Sequence, residues 1–281
     1  MICSSCPVSV HDVADHYDEL DNFYREIWGE HVHHGLWERG DETAEEAVLN
    51  LVAAVVERGH LTAGTRVCDI GCGYGATARM LARECGARVS AVTISPAQYR
   101  HALAERGSAH NPEYLLCDWL NNRLPTGSFD AVLSIESSEH MQDKEMFFAQ
   151  AHRVLRRGGR MVVCAWLSAE DSTALQRRHL LEPICREGRI PSMGTESDYR
   201  KWFSDAQFVL ESFEDVSAKV RKTWTICGAR LARSLFHRPR YLRFLFNSRA
   251  NNRIFALTIS RIWLAYAFGT MRYGIFTARK Q

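Results

Sequence analysis

The stretch RVCDIGCGYGATARML, residues 66–81, constrains the fold of this chain most strongly. Strand-forming residues end in an acid, glycines alternate at positions 71, 73 and 75, and a helical pattern follows. The G-x-G-x-G spacing differs from the G-x-G-x-x-G of a dinucleotide site, where a helix N-terminus meets a pyrophosphate. The carboxylate of Asp69 would also repel a phosphate and attract an amine or a sulfonium. The turn therefore indicates a positively charged ligand, and a tight turn without a ligand is the alternative.

Strand and helix patterns alternate on both sides of this turn. Strands are predicted over RVCDI, RVSAVTI, EYLLCD, FDAVLSIES and RMVVCAWL, with helices at 75–85, 96–106 and 143–156 between them. Near-continuous apolar strands separated by helices predict a parallel sheet that is covered on both faces. Ligands of such sheets bind at the carboxyl ends of the strands.

The two ends of the chain follow different patterns. Helices are predicted at 12–30 and from a cap at Asp41 to Gly59, and residues 219–269 look helical before a last strand, MRYGIFTARK. We predict an N-terminal helical cap at 1–60, a ligand-binding core at 61–167, and at 168–281 the rest of the core with a helical lid.

Composition excludes some classes of protein. The 281 residues carry 35 basic and 33 acidic side chains, so bulk charge does not favour nucleic-acid binding. Nine cysteines in apolar contexts predict free thiols in a reducing compartment, and the CxxC of Cys3 and Cys6 has no second pair. We expect a cytoplasmic protein with no secretion signal, no membrane span and no metal site, although HVHH at 31–34 is a weak metal candidate.

Polar groups recur at the ends of successive predicted strands. Thr93 follows the second strand, with Gln98 one helical turn later, and Asp118 and Trp119 follow the third. A hydroxyl and an amide suit a ribose or a carboxylate, while a carboxylate beside an indole suits adenine. A strand cap and a core aromatic are the alternative interpretation of Asp118 and Trp119.

These residues resemble the class I methyltransferases that use S-adenosylmethionine, over about residues 66–167. The stretches VTIS..Q and DW are similar to a narrower branch, which contains the cyclopropane fatty acid and mycolic acid synthases and the tocopherol methyltransferases. Within it, SIESSEHMQDK at 134–144 and WGEHVHHGLW at 28–37 resemble the tocopherol group. Thr93 departs from the acid that most class I members have there. The resemblance implies a Rossmann-like, seven-stranded, mostly parallel sheet with helices on both faces.

The resemblance also implies the contacts of the cofactor S-adenosylmethionine. Its methionine part would be held by Asp69, Gly71 and Gly73, its ribose by Thr93 and Gln98, and its adenine by Asp118 and Trp119. Two further residues, His33 and Ser134, complete the expected cofactor set.

The predicted reaction is methylation of a carbon, oxygen or nitrogen atom of a lipophilic small molecule. His140 is the first candidate for the base, because histidine titrates near neutrality. Glu139, then His34 and His33, are the next candidates, and His140 as a helix cap is the alternative. Alkene methylation or cyclopropanation fits less well, since His34 replaces a cysteine of those enzymes and a histidine is replaced near Cys164. A catalytically silent nucleoside-binding protein is the third hypothesis.

Arginines and aromatics interleave at 230–261. This segment could form a packed lid with solvated arginines, line an apolar substrate pocket, lie on an anionic membrane surface, or hold a diphosphate. The sequence leaves these alternatives and the oligomeric state open.

Overall fold

The computed structural model describes residues 1–106, 108–237 and 255–281. The strands are β1 Ile2–Cys3, β2 Arg66–Ile70, β3 Arg88–Thr93, β4 Glu113–Leu116, β5 Phe129–Ile135, β6 Leu155–Ser168, β7 Ser192–Met193, β8 Phe208–Asp215 and β9 Met271–Lys280. Seven of them form one sheet in the order β4-β3-β2-β5-β6-β9-β8, while β1 pairs with β7. Only β9 is antiparallel to its neighbours in the large sheet. The predicted mostly parallel α/β sheet is confirmed.

Helices cover both faces of this sheet. They are α1 Val10–Glu19, α2 Ala44–Gly59, α3 Ala76–Glu84, α4 Pro96–Arg106, α5 Lys144–Val154, α6 Glu182–Glu187, α7 Glu196–Asp205, α8 Lys222–His237 and α9 Phe255–Ala267. Side chains of α2, α3 and α4 share one buried apolar cluster, and side chains of α5 and α7 share the other. Neighbouring residues of one strand enter different clusters, as Val67 and Cys68 do, because side chains alternate across a sheet.

The N-terminal helices begin at caps that differ in part from the prediction. The predicted cap at Asp41 is wrong: Thr43 caps α2, and its hydroxyl accepts a hydrogen bond from the Glu46 amide at 3.2 Å. Asp41 instead pairs with Arg39 on the surface. The Glu46 carboxylate reaches back to the Thr43 amide, so the two residues form a capping box.

The C-terminal helices lie between β8 and β9 in the chain, as predicted for the insertion. Trp224 of α8 and Tyr266 of α9 both contact His34 of the N-terminal region, which brings the insertion over the carboxyl ends of the strands. Much of the arginine-rich stretch at 230–261 lies outside the described residues. Within the described ranges, no helix is long and apolar enough to cross a membrane. The predicted boundaries of the ligand-binding core, after residue 60 and after residue 167, stay predictions.

Candidate active site

Three adjoining cavities lie at the carboxyl ends of β2 to β6. The central cleft, about 770 Å³, includes Gly71, Thr93, Gln98, Asp118 and His140 in its lining. The acid cavity, about 340 Å³, includes Asp69, His33 and Thr77. The aromatic cavity, about 510 Å³, includes Tyr17, Tyr24, Trp28 and Trp166. The central cleft shares Gly71 and Gly73 with the acid cavity, and it shares Tyr17, Glu136 and His140 with the aromatic cavity.

The glycine turn after β2 forms the boundary between the central cleft and the acid cavity. Gly71 and Gly73 have φ angles of +72° and +54°, a region in which a side chain is strained. A Cβ atom on Gly71 would lie 2.3 Å from the Cβ of Ser137, so no side chain fits there. A Cβ on Gly73 would meet open space, and backbone at this position is therefore accessible to a ligand.

Asp69 is a buried carboxylate without a complete set of partners. It is 3% exposed, its Oδ2 has no hydrogen-bond partner, and burial raises its pKa to about 7. A buried acceptor of this kind is costly unless a ligand satisfies it. The acid cavity beside Asp69 thus fits the ammonium group that ends the amino acid part of S-adenosylmethionine.

Thr93 and Gln98 meet at the second strand end. The Thr93 hydroxyl donates to Gln98 Oε1 at 2.8 Å, and both residues line the central cleft. This bond orients the amide, so the two side chains present one fixed polar surface.

Asp118 and Trp119 lie at the third strand end, with different surroundings. The Asp118 carboxylate caps a short 3-10 helix by accepting from the Leu120 amide at 2.9 Å, and it also lines the central cleft. Trp119 also borders this cleft, yet it is 1% exposed and its indole N–H donates to the Phe147 carbonyl. The ring packs in the core near α5 while it borders the cleft, and its expected contact with adenine stays a prediction.

Two other predicted cofactor residues occupy different positions. His33 lines the acid cavity, with its Nδ1 2.9 Å from the carbonyl oxygen of His34. Ser134 is fully buried and lines none of the three cavities. Its hydroxyl lies 2.8 Å from that of Ser137, which donates to the Ile70 carbonyl, so Ser134 supports the wall of the cleft from behind.

His140 faces both the central cleft and the aromatic cavity. Its Nδ1 lies 3.0 Å from the carbonyl oxygen of Arg189, and its Nε2 lies 2.9 Å from the Tyr17 hydroxyl. A carbonyl only accepts, so Nδ1 carries the proton and Nε2 accepts from Tyr17. Burial lowers the pKa of His140 to about 4. The imidazole is therefore neutral at physiological pH, with its basic nitrogen bound to a phenol.

Glu139 is held in the turn that carries His140. It is 2% exposed and lines the aromatic cavity, and its Oε1 accepts from the Trp166 amide. Burial raises its pKa to about 7. The ammonium group of Lys144 lies behind the same turn and donates to the carbonyls of Ser138, Glu139 and Met141 at 2.7 to 2.9 Å, which fixes the turn.

Glu136 is a site residue that the sequence interpretation missed. It directly follows β5 with a φ of +54°, and it lines both the central cleft and the aromatic cavity. Its carboxylate accepts from His34 N and Nδ1, Trp166 Nε1 and the Tyr273 hydroxyl at 2.7 to 2.9 Å. Burial opposes ionisation of Glu136, whereas its four hydrogen-bond donors favour the charged carboxylate. Its place directly after a strand, within SIESSEH, was the available signal.

His34 acts on Glu136 rather than on a ligand. It is fully buried and lines none of the three cavities. The Trp224 indole N–H donates to its Nε2 at 2.7 Å, so its remaining ring proton is on Nδ1 and is donated to Glu136. With its only lone pair already bound, His34 has no free nitrogen with which to take a proton from a substrate.

Comparisons with known proteins agree with this geometry. The family described as mycolic acid cyclopropane synthetase matches residues 6–238. Tocopherol O-methyltransferase, chloroplastic, of Arabidopsis thaliana is 29% identical over 95% of this chain and 81% of its own length. The 27-O-demethylrifamycin SV methyltransferase of Amycolatopsis mediterranei is 30% identical over 78% of this chain and 81% of its own. The structure of a cyclopropane synthase from Mycobacterium tuberculosis has a TM-score of 0.84, at 21% identity over 99% of this chain and 100% of that one.

The cofactor follows from the family and from the unsatisfied oxygen of Asp69 together. When bound, S-adenosylmethionine supplies an electrophilic methyl group on a sulfonium. The chain belongs to the mycolic acid cyclopropane synthetase family, and it is a methyltransferase that uses S-adenosylmethionine.

Proposed function

We propose that the central cleft and the acid cavity hold the cofactor and that the aromatic cavity holds a lipophilic small-molecule acceptor. Asp69 would bind the ammonium end, Gly71 and Gly73 the methionine backbone, and Thr93 with Gln98 the ribose. Asp118 would accept from the exocyclic amine of adenine. The observation that carries this proposal is the shared wall of Tyr17, Glu136 and His140, which joins the central cleft to the aromatic cavity.

Apolar and aromatic side chains support the lipophilic acceptor. The described lining of the aromatic cavity holds Ile184, Ile190 and Ile262 beside its four aromatic residues, and it holds no lysine or arginine. Pockets of this size and character bury most of a small ligand. Enclosure there aligns the acceptor with the methyl group and excludes water, which can contribute about 7 to 11 kcal/mol through proximity.

His140 is the base in this proposal, acting through Tyr17. The phenol hydroxyl already donates to Nε2, so a proton leaving the acceptor can pass to the Tyr17 oxygen while the Tyr17 proton passes to His140. Burial raises the pKa of Tyr17 well above its ordinary value, which favours this concerted exchange over a free phenolate. A positioned base of this kind is worth about 100- to 10,000-fold in rate. Glu139 is the second candidate and His34 is set aside, because its acceptor nitrogen is occupied.

The test combines binding and turnover. Calorimetric titration of the purified protein with S-adenosylhomocysteine should give saturable binding, and its absence at millimolar ligand would remove the proposal. Incubation with methyl-labelled S-adenosylmethionine and a metabolite extract should then transfer label to a lipophilic product. Binding without transfer to any extract would instead favour a silent nucleoside-binding protein.

Cyclopropanation remains the rival reaction because of the family match. Cys164, near the position where those enzymes use a histidine, is fully buried, and burial raises the pKa of its thiol, so it is no proton acceptor. This favours methyl transfer, and a trideuteromethyl-labelled cofactor distinguishes the two reactions: methyl transfer carries three deuterium atoms into the product, whereas cyclopropanation carries two, because one is lost to a base. A cytoplasmic location, supported by nine free cysteines, and membrane or diphosphate contact through 230–261 stay predictions.

A further inference from the structure

Among the described residues that line the aromatic cavity, Glu136 is a carboxylate with no lysine or arginine beside it. Glu136 accepts four hydrogen bonds from described residues, and these donors are uncharged: a backbone amide, an indole, a phenol and the His34 ring. His34 is neutral because Trp224 donates to its second nitrogen. Among the described residues, no lysine or arginine forms an ion pair with Glu136. The described residues therefore place a negative carboxylate at the junction of the cleft and the cavity.

Aromatic rings form a wall near this charge. The rings of Tyr17 and Tyr24 have centroids 5.2 Å apart, and those of Tyr24 and Trp28 are 6.0 Å apart. Trp166 lines the same cavity from β6 and donates its indole N–H to Glu136. Ring faces beside a carboxylate attract a cation, and aromatic cages of this kind recognise quaternary ammonium groups.

A carboxylate at this place also discriminates between acceptors. A phenolate acceptor carries the same charge as Glu136 and would be repelled in a cavity that excludes water. Glu139 adds a second acidic group to the lining, and the buried Lys144 donates its protons to backbone carbonyls behind the turn. The charge pattern of the cavity thus opposes an anion and favours a group that becomes positive.

We propose that the aromatic cavity binds the amino group of a lipophilic amine, so that this enzyme methylates nitrogen. The inference rests on the proposed function and selects among its three acceptor atoms. The acceptor nitrogen forms a bond to the methyl carbon as the carbon–sulfur bond breaks, and sulfur keeps the bonding electron pair. The positive charge passes from sulfur to nitrogen beside Glu136. A secondary amine then loses its proton through Tyr17 to His140, whereas a tertiary amine leaves as a quaternary ammonium.

The binding test uses a pair of ligands with one shape and different charge. Protein saturated with S-adenosylhomocysteine is titrated with benzyltrimethylammonium and with its uncharged isostere, neopentylbenzene. The cation should bind at least tenfold more tightly. Equal affinity for the two ligands, or tighter binding of the isostere, would overturn the inference. The proposed function would still stand, because the protein had bound S-adenosylhomocysteine. Failure of S-adenosylhomocysteine itself to bind would overturn the function, which keeps the two failures distinct.

Two variants locate the effect. Glu136→Gln removes the charge with little change of shape and should reduce the preference for the cation to below twofold, while Glu57→Gln, an exposed glutamate of α2, should preserve it. If Glu136→Gln does not fold, Trp28→Leu is used instead. We expect this variant to lose at least fivefold in affinity for the cation and less in affinity for the isostere. If the folded variant, Glu136→Gln or Trp28→Leu, still prefers the cation over the isostere as strongly as the parent protein does, the assignment of the aromatic cavity as an amine site is overturned.

The chemical class of the labelled product tests independently whether nitrogen receives the methyl group. Label from methyl-labelled S-adenosylmethionine and a metabolite extract should enter compounds that partition into water at acid pH as cations. Entry of label only into neutral or phenolic products would overturn nitrogen as the acceptor and would still support methyl transfer.

Discussion

The Tyr17 hydroxyl lies 2.9 Å from Nε2 of His140, although the two residues are 123 positions apart in the chain. The contact joins α1 to the turn after β5, and both residues line the central cleft and the aromatic cavity. An imidazole after β5 and a phenol on the N-terminal helix thus form one hydrogen-bonded unit, which only the closed fold assembles.

Removal of either partner of this unit should lower turnover without loss of cofactor binding. We expect His140→Ala and Tyr17→Phe each to reduce kcat at least tenfold, because each interrupts the path of the proton. S-adenosylhomocysteine affinity, measured by calorimetry, should change less than threefold. His110→Ala, at an exposed position, is the matched control. Unchanged kcat in His140→Ala would transfer the role to Glu139.

The pH dependence of kcat should distinguish the two candidate bases. The pKa of His140 is lowered to about 4 and that of Glu139 is raised to about 7, in both cases because of burial. A base works only when deprotonated, so with an acceptor that does not titrate in this range His140 predicts a kcat that is flat from about pH 8 to about pH 5.5. Glu139 as the base predicts a tenfold fall per pH unit below about pH 7. Initial rates at saturating substrate measure the difference.

Acid should also destabilise the fold through His140. Its pKa in the folded state is below the ordinary value of 6.5, so the unfolded chain binds the proton more readily. The stability that this residue contributes is complete above about pH 6.5 and is lost as pH falls toward 4. We expect a loss of about 2 kcal/mol from this residue between pH 7.5 and pH 5. Urea unfolding at both values checks this, and His140→Gln should show a smaller difference.

Asp69→Asn should separate stability from binding. The substitution removes a buried carboxylate whose Oδ2 has no partner, so the unliganded variant should be as stable as the parent chain at pH 8 or more stable. Loss of the charge that would meet the ammonium group should weaken S-adenosylhomocysteine binding at least tenfold. Thermal unfolding and calorimetry report the two effects. Asp15→Asn, on the exposed side of α1, should change neither, and parent-like affinity in Asp69→Asn would contradict the assignment.

Alanine substitutions at the two glycines of the turn, Gly71 and Gly73, should have different effects on stability. Gly71→Ala places a Cβ 2.3 Å from that of Ser137, and we expect it to destabilise the protein by about 2 kcal/mol or more. Gly73→Ala meets only backbone strain, about 1 to 2 kcal/mol, as does Gly127→Ala, whose added Cβ would also meet open space. Denaturant unfolding should thus show a similar loss of stability for Gly73→Ala and Gly127→Ala. Of these two, Gly73→Ala should also lose cofactor affinity and Gly127→Ala should not; equal affinities would remove Gly73 from the site.

Local patterns in the sequence determined the architecture and the edge of the sheet at which a ligand is expected to bind. Apolar strand segments alternating with helices specify a covered parallel sheet, and such sheets bind ligands at their carboxyl ends. The glycine turn with Asp69, and Thr93 with Gln98, were therefore predicted in the positions that they occupy. These features depend on residues close together in the chain, and a single sequence displays them.

Tertiary structure alone decided which of the polar residues are available for chemistry. His34 and His140 look alike in sequence, but Trp224, 190 positions away, occupies the free nitrogen of one, and Tyr17 binds that of the other inside a cavity. Glu136 gained its importance from donors contributed by His34, Trp166 and Tyr273. The protonation state of a buried group depends on the sum of its burial and its partners, and those partners come from strands and helices that only folding brings together.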